Sequence, residues 1–549
     1  MSLKPASAQV IPELTARVAK ASFPKEDNIY MKMRDELGVI YKDEQFEALF
    51  PSRGQPAEAP SRLAFVTIMQ FAEGLTDRAA ADAVRSRIDW KYALGLELED
   101  AGFHYSVLSK FRKRLLLAGA EENLLNQMLD LLQEKGLLKA GGKQRTDSTY
   151  IVGAIRNLNR LVLVGETLRH TLDTIAAVAP VWLQSIVPQE WYKQYGRPLH
   201  EYKMPTKKGD RDALACRIGE DGLDLLQSIY EDLDMLWLRE IPAVQTLRQI
   251  WIQQFYQQNG QLRWRTNKET PPYSKRIVSP FDIEARQGTK RMNRWLGYKV
   301  HLTETCDADA PKIITHVETR IAPESDTNAT TDVHAALAEK ELIPKQHIVD
   351  MGYVAGHHIV SSQDEYGIDL LGPIQPDTSW QAQDEAAFDT TTFSYDWEKE
   401  LAICPQGKES IFWKQRQENN HTVIDVMFSR RDCLNCPVKA RCTKSLTRAR
   451  SLTIRPEKEF AAIHQRRAYQ KTDDFKESYA LRAGVEGVVS QTAVALDMRR
   501  SRYRGLDKTH LQHVATATAV NLKRAANWLL GYATAETYVT RFSALGMAT

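Results

Sequence analysis

The chain reads as a mixed α/β protein, a sheet with flanking helices interrupted by two insertions and preceded by a helical region. Three observations predict this. Arg145 to Val152 is a β-prone run that carries Asp147 and is bounded upstream by Gly141-Gly142. From 297 to 303, Tyr298, Val300 and Leu302 alternate with Lys299, His301 and Thr303 as in a half-buried strand, and Ile313, Thr315, Val317 and Thr319 alternate again. A helix from Thr330 to Glu341, ending before Pro344, leads into a strand that ends on Asp350, where Gly352 lets the chain turn away. Ile368 to Leu371 adds one more strand. Strand, strand, strand, helix, strand around carboxylates is the order of a mixed sheet.

At 549 residues there is room for roughly two to four domains. A hydrophobic content of 43% and a charged content of 26% are ordinary for a soluble globular protein. Met1 to Ser22 lacks the apolar core of a signal peptide, and the most apolar segment, Thr174 to Val187, is broken by Pro180 and Gln184. The expectation is a cytoplasmic protein. A net charge of +3 does not by itself announce a nucleic-acid binder. Local charge says more: Lys110-Phe111-Arg112-Lys113-Arg114 and Arg499-Arg500-Ser501-Arg502-Tyr503-Arg504 are concentrated cationic runs. Either run alone fits a solvated helix face, whereas two of them flanking a metal site favour phosphate contacts.

In chain order, residues 1–60 read as an irregular arm closed by Pro51, Pro56 and Pro60. From Arg62 to Leu132 the pattern is helical: Leu63, Val66 and Met69 repeat at turn spacing, and Thr76 caps a helix through Ala79, Ala83, Val84 and Ile88. Ser106 caps another, with Leu108, Phe111 and Leu115 inward and Lys110, Arg112, Lys113 and Arg114 outward. A helix-turn-helix-like DNA-binding unit and a helical packing or dimerisation unit both fit this stretch. After the Asp147 strand, Leu161, Leu168, Ile175, Leu226, Ile229, Leu233 and Trp237 fall at helical spacing, so about 155–270 is a helical insertion.

Residues 376–464 form a second insertion. Cys216 and Cys306 are isolated, but Cys404, Cys433, Cys436 and Cys442 cluster here, and Cys-x2-Cys is a zinc half-site that the other two thiolates would complete. Four reduced, unliganded cysteines are the other reading. From Lys471 the chain is helical again, with Tyr479, Arg482 and Glu486 spaced to share one helix face. A final apolar helix runs from Leu511 to Leu530, and 531–549 is a tail. Asp147, Asp350 and Glu486, delivered from two strands and a helix, would make a divalent-metal site, though each acid alone fits a cap or a salt bridge.

Thr146-Asp147-Ser148-Thr149, then Trp295 through His301, Asp350-Met351-Gly352-Tyr353, Tyr479-x2-Arg482-x3-Glu486, and Arg499 through Leu506 follow one another in an order that resembles the bacterial DDE-type insertion-sequence transposases, which have an RNase H-like catalytic core. Residues 60–135 are similar to the domain that precedes that core, and the cysteine cluster resembles an insertion some of these proteins carry. The resemblance implies an RNase H-like sheet spanning 141–375 and 465–530, preceded by a DNA-binding domain at 61–140. It implies that Asp147, Asp350 and Glu486 hold two Mg2+ ions, with Mn2+ as a substitute, beside one structural Zn2+ at the cysteines. Tyr479 and Arg482 would contact the DNA end, and Arg499, Arg500, Arg502, Lys110, Arg112 and Lys113 the wider duplex. The implied activity is binding, cleavage and strand transfer of the element's own terminal inverted repeats by a homodimer at the nucleoid. Two alternatives are a decayed DNA-binding relative and a nuclease that does not join ends. One departure stands out: Ala493 occupies a position where a lysine often follows the glutamate. Trp295, Lys299 and His301 read as structural.

Overall fold

The computed structural model describes residues 2–3, 9–25, 27–51, 53–290, 292–419 and 421–532. The expected C-terminal tail lies outside the described residues from 533 onward.

A central strand, Lys143–Val152, runs antiparallel to Asn293–Thr305 and parallel to Gln346–Ile348. Ile314–Ile321 flanks the antiparallel side and Asp369–Leu371 the parallel side. Arg286–Lys290 folds back on the start of Asn293–Thr305 as a hairpin. The sheet is therefore mixed, as expected, with the Asp147 strand in its middle.

From Val300 to Thr305 the strand Asn293–Thr305 is buried on both faces, while Asn293 and Arg294 at its start are exposed. Tyr298, Val300 and Leu302 are inaccessible on one face, and His301 and Thr303 are nearly so on the other. The long helix Leu506–Leu529 packs on the neighbouring strand, while Tyr353 closes over His301, with its hydroxyl 2.6 Å from His301 Nδ1. Alternation of polar and apolar residues marked a strand correctly but misjudged its exposure, because His301 finds Tyr353 and Thr303 finds Thr146 inside the protein.

The arm expected to be irregular is helical over Glu13–Ser22 and Ile29–Leu37, with a 3₁₀ segment at Asp43–Leu49. Asn28 caps the second helix by accepting hydrogen bonds from the Tyr30 and Met31 amides, and Tyr30, Met33, Leu37 and Phe46 are buried. Thr76 caps Asp77–Ser86 as expected, accepting from the Ala79 amide. That helix stops before Arg87, which is extended, and Ile88 begins a separate one. Ser106 is the first residue of Ser106–Leu117 rather than its cap.

Leu108, Phe111 and Leu115 face inward. They share one core with Met69 of Pro60–Glu73, Leu302 of the sheet and Leu511, Val514 and Leu522 of the long C-terminal helix. That helix starts at Leu506, after Gly505 at φ 94°. Removing this much apolar surface from water at about 25 cal/mol per Å² is what binds the N-terminal helices to the sheet.

The helical insertion spans Arg160–Val178 to Pro242–Gln254 and ends in a hairpin, Phe255–Gln258 with Gln261–Trp264. It has its own core, in which Trp251 Nε1 donates to the Gly219 carbonyl. A Cβ on Gly222 would meet the Trp251 ring at 2.1 Å, so the two helices approach only because that residue is glycine. Val178 ends one helix and Pro180 opens the next, the break that the sequence signals. No described helix is long and apolar enough to cross a membrane. The cysteine-bearing insertion is a three-stranded sheet, Ser410–Glu418, His421–Phe428 and Ser451–Ile454, over a small core of its own.

Candidate functional site

Asp147 and Asp350 come together because their strands are neighbours: Arg145 is in register with Ile348, two residues before each acid. Asp147 is buried in mid-strand, and its Oδ1 accepts from the Ser148 amide. Asp350 caps a short 3₁₀ turn, Met351–Tyr353, by accepting from the Gly352 amide at 2.7 Å. Gly352 is needed for proximity rather than for an unusual φ. A Cβ there would lie 3.0 Å from Asp350 Oδ1 and 3.5 Å from the Asp326 Cβ.

Arg482 bridges the pair, with Nη2 2.9 Å from Asp147 Oδ2 and 3.8 Å from Asp350 Oδ2. A fixed cation between two carboxylates marks a place built to hold positive charge. Burial pushes the Asp147 carboxyl above the usual range; Arg482 opposes this and the neighbouring Asp350 adds to it.

Glu486 does not join them. It sits exposed on the short helix Val485–Ser490, whose Val485 and Val488 are buried on the other side. The expectation that Tyr479, Arg482 and Glu486 share one helix face is corrected here. Asp473–Ala480 ends before Arg482, a 3₁₀ turn Leu481–Gly484 intervenes, and a new helix starts at Val485. A 3₁₀ turn advances about 20° more per residue than an α-helix, so its four residues rotate the later face away. Tyr479 is half-buried and stacks on Phe475 at 5.3 Å. Among the described residues no three His, Cys, Asp or Glu side chains are placed to hold a metal ion.

Sequence reasoning missed two neighbours of the site. Asp326 lies between Lys299, at 2.7 Å, and the Ser148 hydroxyl, at 3.3 Å. Burial opposes its charge, but the Lys299 ammonium overrides this and holds the carboxyl below the usual range. Lys299, read as structural, is thus the counter-ion of a fourth acid beside Gly352. Exposed Lys290, at the hairpin tip, lowers the carboxyls of both Asp147 and Asp326 through space. The only sequence signal for Lys290 is its place in Lys290-Arg291.

The cationic runs divide. Arg112 is not outward: it is buried, 2.6 Å from Asp77 Oδ2 and 3.3 Å from Gln70 Oε1. Arg114 bonds the Leu49 carbonyl, leaving Lys110 and Lys113 exposed beside an open groove with Leu117. Arg499 lies over Tyr150 and donates to Thr149, one turn of the pleat from Asp147. Arg500 is exposed, and its backbone pairs with Val152. Arg502 is exposed yet tied to the N-terminal helices through the Leu75 carbonyl and the Phe71 ring. Ala493 is buried, so a lysine side chain there would not reach solvent without rearrangement.

Cys404, Cys433, Cys436 and Cys442 line one pocket with Phe388, Phe393 and Phe428. All four are half-buried free thiols. Burial and the other three sulfurs push the Cys442 thiol up to about 11, against the opposing pull of Arg450. The donor set suits zinc in type and all four cysteines line one pocket, although as placed they do not form a group that holds an ion.

Residues 17–114 match the family described as Transposase domain. Residues 403–526, which include Glu486, Arg482 and the cysteine cluster, match the Transposase DDE domain. No curated protein and no solved structure matched the chain.

Proposed function

We propose, from the premise that the two matched domains indicate an insertion-sequence transposase of the DDE type, that the chain binds the terminal inverted repeats of its own element, cleaves the ends and joins the freed 3′-hydroxyls to target DNA. A DDE domain implies a nuclease or transferase type of enzyme acting on DNA. It also suggests that the sheet is RNase H-like, a reading supported by a mixed sheet in which the Asp147 strand has antiparallel strands on one side and two short parallel ones on the other.

The observation that carries the proposal is the pair Asp147 and Asp350, held around one cation by Arg482, which stands four residues before Glu486. Hard carboxylate oxygens with a guanidinium already between them suit Mg2+. Asp147 and Asp350 would hold it, with Glu486 as the third ligand. Divalent ions there supply Lewis acidity and charge neutralisation to an in-line attack on a phosphodiester.

The protein's own part is orientation. Arg482, released from the carboxylates, is placed to take a phosphate oxygen, and Tyr479 lines the same approach. Lys290, Arg499, Arg500, Arg502, Lys110 and Lys113 supply backbone contacts, while Arg112, committed to Asp77, drops out of that set. Water is the nucleophile in cleavage, and the freed 3′-hydroxyl is the nucleophile in joining. Two ends require two active sites, so the working form is a homodimer. Cys404, Cys433, Cys436 and Cys442 would hold a structural zinc within the insertion.

The test is Mg2+-dependent reaction of the purified chain with DNA carrying the flanking ends of its own gene. Discrete end cuts and joined products that vanish in Asp350→Ala, while binding survives, are expected. Cuts without joined products would reassign the chain as a nuclease, and binding without cutting would make it a DNA-binding protein only.

A further inference from the structure

Glu304 is the most completely enclosed carboxylate near the site, with no accessible surface. Its Oε1 accepts from Arg145 Nε at 2.8 Å and Arg145 Nη2 at 2.6 Å, and its Oε2 accepts from Arg524 Nη1 at 2.6 Å. A buried carboxylate between two guanidiniums is stable only when every partner stays in place.

Both arginines reach onward to the same short segment, at opposite ends. Arg145 Nη1 donates to the carbonyl of Leu481, where the 3₁₀ turn begins. Arg524 Nε donates to Gln491 Oε1 at 2.9 Å, just after the Glu486 helix ends. The fit over Arg145 is close enough that a Cβ on Gly484 would come within 2.2 Å of Nη1. Arg524 also bonds the Lys312 carbonyl, fixing its guanidinium against the sheet.

The segment itself has few other polar ties. Val485 and Val488 anchor one side in the core, and Arg482 reaches Asp147. Beyond these, the polar ties at its two ends are made by two guanidiniums, both bonded to one carboxylate.

We propose that Glu304 is the positioning residue for the Glu486 segment: through Arg145 at Leu481 and Arg524 at Gln491 it sets where the third acid stands relative to Asp147 and Asp350. The role rests on the reading of Glu486 as the third acid. Glu304 touches neither DNA nor the reacting atoms, and it acts through the two arginines alone.

The experiment compares wild type, Glu304→Gln, Gln491→Ala and Glu486→Gln. It follows backbone amide hydrogen exchange over 481–491, binding of end DNA, and single-turnover cleavage as a function of Mn2+ concentration. In Glu304→Gln, exchange across 481–491 should rise by about an order of magnitude while the sheet core stays protected. Cleavage should fall about 10²-fold with end-DNA affinity within about twofold, as a misplaced catalytic group behaves, and the Mn2+ midpoint should move to higher concentration. Gln491→Ala, which leaves the buried charges paired, should show the same changes at smaller size and decides the matter if Glu304→Gln does not fold. Wild-type exchange and cleavage in the variants that fold would overturn the proposal. Full cleavage in Glu486→Gln would instead overturn the role of Glu486, while the exchange data would still decide whether Glu304 holds the segment.

Discussion

Asp147 and Asp350 on one side, and Glu486 on the other, are held in opposite ways. The two aspartates ride on paired strands, hydrogen-bond to backbone amides beside them and share Arg482. Glu486 rides on a short helix between a 3₁₀ turn and a π-helical turn, and it points to solvent. The half with the two aspartates is therefore fixed by the sheet, whereas the Glu486 segment is held by Val485 and Val488 in the core, by Arg482 and by the arginines around Glu304.

Breaking the rigid half should have the largest effect. Leu302 lies in register with Asp147 and is inaccessible, so Leu302→Ala should cost about 2–5 kcal/mol of stability, read by denaturant unfolding. A loss under about 1 kcal/mol would mean that the strand is less well packed than described. Arg482→Ala tests the link between the halves. It leaves Asp147 and Asp350 facing each other without their cation, and end cleavage should fall by about 10²-fold.

The third prediction uses pH. Burial pushes the imidazoles of His301 and His334 down to about 4 and that of His513 to about 3. These groups stay neutral in the fold, whereas in the unfolded chain they charge below their usual 6.5. The unfolded state then binds more protons, so stability should fall as pH drops from 6.5 towards 4 and be insensitive to these groups above 6.5. His334→Gln should flatten that slope in a thermal-unfolding series.

A smaller, local effect is expected in the cysteine-bearing insertion, whose core is separate from that of the sheet. Cys433→Ser should lower bound zinc, measured by elemental analysis, and loosen 403–454 while leaving Leu302 protected. The smallest effect belongs to the free cations. Lys113→Ala should reduce the slope of log affinity against log salt by about one without changing end preference.

How much of this could be read in advance follows from range. Asp147 and Asp350 were legible because a β-prone run with one acid in it, or ending on one, is a local pattern. The sheet was legible for the same reason, apart from the burial of His301 under Tyr353, some fifty residues away, and of Thr303 against Thr146. Arg112 read as a surface cation because its partner Asp77 belongs to another helix. The Glu486 face was misjudged because spacing in the sequence presumes one continuous helix, and the 3₁₀ turn at Leu481 is bonded by Arg145, far away in the sequence, from the Asp147 strand. Asp326 had no readable signal at all: it is a loop aspartate until Lys299 and Ser148 arrive beside it.

The central claim is that two aspartates from strands and one glutamate from a tethered helix act as a single site. It is tested most directly by measuring end cleavage in Asp147→Asn, Asp350→Asn and Glu486→Gln side by side, with end-DNA binding as the control. The account predicts that all three lose cleavage by at least about 10³-fold and to a similar degree, since groups acting as a unit fail as one, while binding persists. Cleavage by Glu486→Gln near the wild-type rate, with both aspartate variants inactive, would contradict it.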